Sequence, residues 1–147
     1  MPHRWTDLFD LVMDLKAYPD FVPHCRGVRV FSRTLDHSGN AVIVSRMTVG
    51  FPPVEVGYTN RTVGDQQGRR ITVESVDGPL EFLNVVWNFE PEGEDGTVIE
   101  FSADYEFSSR VLAAMASRMF EIMFGEIVDA FETRADRVLG PTGMSAR

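Results

Sequence analysis

From residue 108 to residue 139 the chain keeps a helical repeat almost without a breaker, whereas everything before it reads as short strand-like runs. Leu112, Met115, Met119, Met123, Ile127, Phe131, Ala135 and Val138 recur at steps of three and four, which is one face of an α-helix. Roughly thirty residues at ~1.5 Å each make a rod of ~45 Å, enough to cross a small domain. A curved sheet closed by such a rod, with methionines along its apolar side, can enclose a hydrophobic cavity. The expectation is an apolar cargo, with no chemistry performed on it.

Upstream, Leu8, Phe9, Leu11, Val12 and Leu15 predict a short amphipathic helix, with Thr6 as its N-cap and Pro19 helping to stop it. Tyr18-Pro19-Asp20-Phe21-Val22-Pro23 reads as a tight apolar turn, because each proline fixes φ and blocks a continuing helix. Strands are predicted over 27–34, 41–51, 54–63, 70–76, 80–90 and 97–107, joined by turn chemistry such as Asp77-Gly78-Pro79. Connections this short between consecutive strands imply an antiparallel meander. Alternation puts Leu83, Val85, Trp87 and Phe89 on one face of their strand and Ile99, Phe101, Ala103 and Tyr105 on one face of the next. Val54, Val56 and Tyr58 share a face, as do Met47, Val49 and Phe51. Either the helix fills the space against these large side chains, leaving a dry core, or a pocket remains. The 147 residues form one domain, with its core over 6–140 and a flexible tail over 141–147.

A net charge of −8 weighs against nucleic acid, which needs a clustered positive surface, and DNA is excluded as a partner. It also weighs against steering to anionic lipid. Cys25 is the single cysteine, so no intrachain disulfide forms and the cytosol is the default compartment. No apolar run approaches the ~20 residues of a membrane span, and the first residues lack a signal peptide's apolar core.

Catalytic and metal-binding patterns leave no trace. His3 lies near the terminus, His37 in a polar turn, and His24 beside Cys25; two ligands are too few for a metal site, so none is assigned. Adjacent residues of an extended chain point to opposite sides, which makes a Cys–His dyad implausible and Cys25 a small buried hydrophobe. Glu100 and Asp104 alternate with inward residues and face solvent. Met115, Met119 and Met123 admit two readings: they fill a core gap, or they form a deformable wall over an apolar ligand.

Several motifs in order carry a family resemblance. Tyr18-Pro19-Asp20-Phe21-Val22-Pro23-His24-Cys25, Asp77-Gly78-Pro79 before a strand, Trp87-Asn88-Phe89 and Tyr105-Glu106-Phe107-Ser108 before the last helix resemble the coenzyme Q-binding proteins. These belong to the START-like, polyketide-cyclase-related helix-grip proteins. The match runs from about Leu8 to Gly140. The resemblance implies an α+β helix-grip fold: a curved antiparallel sheet of six to seven strands around a long C-terminal helix, with a short N-terminal helix and an apolar tunnel. It implies a non-enzymatic binding protein for ubiquinone or a related polyprenyl quinone, supporting respiratory electron transport, with that quinone as ligand and no catalytic cofactor.

Carried onto this chain, Tyr18, Phe21, Val22 and Pro23 form a rim at the pocket mouth. Met47, Val49, Phe51, Tyr58, Leu83, Trp87, Phe89, Phe101 and Tyr105 form sheet walls, and Leu112, Met115, Met119 and Met123 a helical lid. Tyr58, Tyr105 and Arg46 are candidates to orient a quinone head. The family's first strand, before the short helix, has few residues here to form it, which would leave a sheet edge open and invite a homodimer. The cytoplasm, with transient contact at the inner membrane, is the expected location. Two alternatives stay in view: a toxin-like protein that blocks ribosomal subunit association, which the acidic charge disfavours, and a polyketide cyclase-like enzyme on the same fold.

Overall fold

A computed structural model describes residues 1–51 and 54–140. The order is α1 (Trp5–Met13), a 3-10 turn (Leu15–Asp20), β1 (Cys25–Leu35), β2 (Ala41–Phe51), β3 (Val54–Asp65), β4 (Arg70–Ser75), β5 (Leu80–Glu92), β6 (Gly96–Phe107) and α2 (Arg110–Leu139). All six strands form one antiparallel sheet in chain order, the expected meander. Register shifts in β1, between Cys25 and Gly27 and between Val30 and Ser32, add the twist that curls a sheet.

The strand parity read from the sequence holds. Cross-strand pairing aligns Ile43, Thr62, Val73, Val85 and Ala103 in one row of side chains, and Gly64, Ile71, Trp87 and Phe101 in the next. α2 lies over this face, burying Ala116, Met119, Phe120, Met123, Ile127, Phe131 and Ala135. Ser109 caps its start by accepting a hydrogen bond from the Leu112 N–H at 3.1 Å. It ends at Gly140, whose φ of 74° is a backbone state that glycine adopts without a Cβ penalty.

Two local expectations are corrected. Thr6 lies inside α1, and Arg4 occupies the N-cap position without a side-chain bond. Pro19 does not stop α1, which ends at Met13; it sits within the 3-10 turn that follows. Of the six to seven strands expected, six are present among the described residues. In place of a further strand only Met1 pairs with the edge of β6, its amino group donating to the Thr97 carbonyl at 2.7 Å and its carbonyl accepting from the Thr97 N–H at 2.9 Å. His3 is buried close by, with Nε2 2.7 Å from Asp136 Oδ1 and its carbonyl accepting from the Thr97 hydroxyl. These contacts tie the first residues to β6 and to the last turn of α2.

The rest of the β6 edge carries Glu100, Asp104 and Glu106, all exposed. Pairing β6 with its own copy about Ser102 would set Glu100 opposite Asp104, so like charges work against a homodimer through this edge. The expected tail over 141–147 lies outside the described residues.

Candidate functional site

Between the middle of α2 and the sheet lies a small cavity of about 40 Å³, lined mostly by buried residues. Leu15, Tyr18 and Val22 close it from the proline turn, and Met123, Phe124 and Ile127 from the helix. The sheet contributes Ser45, Met47, Tyr58, Asn60, Thr62, Val73, Leu83, Val85 and Trp87. A water needs ~10–15 Å³, so the space holds about three waters or a small polar group but no ring. A larger ligand enters only if the walls give. Met47 and Met123 are unbranched thioethers able to re-pack at low cost.

The expected wall residues divide by position along the sheet. Tyr18, Val22, Met47, Tyr58, Leu83, Trp87 and Met123 line the cavity. Val49 and Phe89 are fully buried but pack elsewhere, Phe89 against Phe9 at 5.7 Å between ring centroids. Phe101 and Tyr105 are half-buried on the edge strand and meet α2 at Phe124, 6.2 and 5.3 Å away; Phe101 also packs on Trp87 at 4.7 Å, and neither is in the lining itself. Phe21 packs edge-on to Phe131 at 4.8 Å beneath the Arg134 guanidinium, and with Pro23 stands outside the lining. Met119 is buried and Leu112 half-buried, neither at the cavity, whereas Met115 is 51% exposed and turned away from it. The Phe51 side chain lies outside the described residues.

Arg46 does not reach the interior: it is exposed, 3.9 Å from Asp77 on the outer face. Tyr105 is likewise absent from the lining. The polar groups that do face inward are Ser45, Tyr58, Asn60 and Thr62, of which the sequence reading had Tyr58 alone. Asn60 and Thr62 share the strand parity of Tyr58, and Ser45 that of Met47, so alternation contained the signal and residue polarity masked it.

Burial raises the pKa of the Tyr58 hydroxyl, with the Cys25 sulfur adding to this and the Asn60 amide opposing it. In the folded protein this hydroxyl donates to Met47 Sδ at 3.5 Å. Burial likewise raises Tyr18, whose hydroxyl donates to the Val12 carbonyl at the end of α1. Cys25 is pushed up to about 12 by burial, leaving a neutral thiol in keeping with a packing role. Asn60 Oδ1 has no hydrogen-bond partner although the residue is 3% exposed. Leaving such an acceptor unpaired costs about 1–3 kcal/mol.

A second hollow, of about 650 Å³, is an open surface groove by Asp10, Arg33, Ser38, Asn40 and Gln67. Its polar rim and openness suit water better than an apolar ligand.

A curved antiparallel sheet gripping one long helix, with a mostly apolar cavity between them, defines the START-like helix-grip class. The chain belongs to the polyketide cyclase / dehydrase and lipid transport family, which it matches over residues 1–132. It is 30% identical over 142 residues to the ribosome association toxin RatA of Rickettsia prowazekii, covering 95% of this chain and 93% of that one. It is 31% identical to the mitochondrial coenzyme Q-binding protein COQ10 homolog B of Xenopus laevis, over 90% of this chain and 54% of that protein. In three dimensions it resembles the 18 kDa protein CC1736 of Caulobacter crescentus, with a TM-score of 0.72 at 33% identity over 95% and 93% of the two chains.

Proposed function

We propose that the protein is a non-enzymatic carrier that holds an apolar molecule, a polyprenyl quinone such as ubiquinone, between α2 and the sheet in support of respiratory electron transport. The observation that carries this reading is the small, mostly apolar cavity between α2 and the sheet, walled by Trp87, Leu83 and two methionines. The likeness to a coenzyme Q-binding protein supports the choice of ligand. Burying several hundred Å² of isoprenoid surface at ~25 cal/mol per Å² is worth several kcal/mol, enough to repay displacement of flexible side chains. No helix among the described residues is long and apolar enough to cross a membrane. Loading is proposed through transient contact with the inner membrane.

Protein purified from a quinone-producing host and extracted with organic solvent is expected to release an isoprenoid quinone near one per chain, identified by mass spectrometry and redox-sensitive absorbance. Folded protein that yields none, and takes up none from detergent, contradicts the reading.

One observation favours a second reading, association with a ribosomal subunit as the name of the RatA relatives suggests. The exposed residues of β1 include Arg26, Arg29 and Arg33, and no acidic residue lies between Cys25 and Leu35. Arg29 lies opposite Arg46 on the outer face of the sheet, a local pair of exposed cations on an acidic protein and the charge that rRNA phosphates require. Co-sedimentation with ribosomal subunits, lost on reversing Arg29 and Arg46 to glutamate, would move the assignment there.

A further inference from the structure

We propose that Asn60 is the seat of a ligand hydroxyl, so that the cavity selects an amphipathic molecule whose buried polar end donates a hydrogen bond. Among quinone-type ligands this is the reduced, hydroxyl-bearing form rather than the oxidised form. The proposal rests on the apolar-ligand reading above and deepens it.

The argument begins with placement. Ser45 and Asn60 are register partners on β2 and β3, and Thr62 is the next inward residue of β3. All three are buried, at 1%, 3% and 1% exposure, and all three line the cavity. They make a polar spot in a wall otherwise built from Leu83, Val85, Trp87, Met123 and Ile127.

The roles of the polar groups then follow from their partners. The Tyr58 hydroxyl proton is already directed to Met47 Sδ. Asn60 Oδ1, buried and without a hydrogen-bond partner, is the end left to a ligand. Serine and threonine hydroxyls rotate to donate or accept, so they do not choose between ligand forms. Oδ1 only accepts. A ligand carbonyl brought against it sets two acceptors face to face, whereas a ligand hydroxyl supplies the missing donor. The small volume beside it has room for the leading polar group of such a molecule, while the ring and tail require the methionine walls to move.

The test is anaerobic titration calorimetry with two matched probes, a short-tailed alkyl benzohydroquinone and its benzoquinone. The wild-type protein is expected to bind the hydroquinone about tenfold more tightly or better. Asn60→Leu is expected to reduce that preference to about twofold or less, chiefly by weakening the hydroquinone, and S45A to keep it. The N60L protein should melt at the wild-type temperature or above, because it loses an unpaired polar atom; a structural asparagine would give the opposite shift. Equal wild-type affinity for the two probes overturns the proposal without any variant and leaves the apolar-ligand reading standing. A preference that survives in N60L also overturns it. Binding of neither probe overturns both.

Discussion

Replacing Phe131 with alanine is expected to lower the unfolding free energy by about 3–5 kcal/mol, among the largest losses available to a single side chain in this fold. Phe131 is 1% exposed and stands where three elements meet. The rings of Tyr18, Phe21 and Trp87 surround it at centroid distances of 5.3, 4.8 and 5.1 Å, each close to edge-on. Truncation therefore removes the contact that pins the proline turn and the sheet to α2. No backbone movement refills the space cheaply, since each neighbour is held by its own strand or turn. Against a typical total of about 5–15 kcal/mol the variant should melt roughly 10 °C or more below wild type. Urea titration should show an earlier midpoint with little change in slope. A loss below about 1 kcal/mol would mean that the turn and the helix do not pack this way.

Met123→Glu is the second large effect, and it depends on pH. Met123 is 1% exposed and faces the cavity. Desolvation in that wall raises the folded-state pKa of the introduced carboxyl above its unfolded value of ~4.3. Below about pH 4 the group is neutral in both states and the variant stands nearest to wild type. As the pH rises towards 7 the unfolded chain ionises freely while the folded one resists, so stability falls by several kcal/mol across that window. Met115→Glu, at a position 51% exposed, is expected to change stability by no more than about 0.5 kcal/mol at any pH. Thermal melts of the two variants between pH 4 and 8 check both statements. Equal pH profiles would contradict the orientation of α2.

The contrast between the two methionines marks how far the sequence could be read. Steps of three and four identified the helix and most of its buried side: Met119, Met123, Ile127, Phe131 and Ala135 all face inward. A helix turns 100° per residue, so every step of four rotates the stripe by 40°. Met115 is three such steps before Ile127, the middle of the buried stripe, and has rotated out of the core. Strand parity was as informative: β2 begins and ends where alternation placed it, and Leu83, Val85, Trp87 and Phe89 are all buried. Parity names a face but not a position along it. That is why Phe89 packs with Phe9 away from the cavity, and Phe101 stands behind the wall residues Trp87 and Phe124.

What the sequence hid is polar. Ser45, Asn60 and Thr62 look like outward residues by type, and only three-dimensional closure brings them together. His3 looked like a stray terminal residue, yet it is buried against Asp136, 133 positions away. Contacts of that separation leave no local pattern. Thr6 failed as a cap because the turn before α1 starts at Arg4, whose carbonyl takes the Asp7 and Leu8 N–H groups.

The central claim is that an apolar ligand enters between α2 and the sheet. The methyl resonances of ¹³C-methyl-methionine-labelled protein, followed while a short-tailed alkyl quinone is added, test it most directly. The account predicts saturable shifts at Met47 and Met123, which line the cavity, with Met115 unmoved on the surface. Resonances that stay in place at every quinone concentration, or a shift confined to Met115, would contradict it.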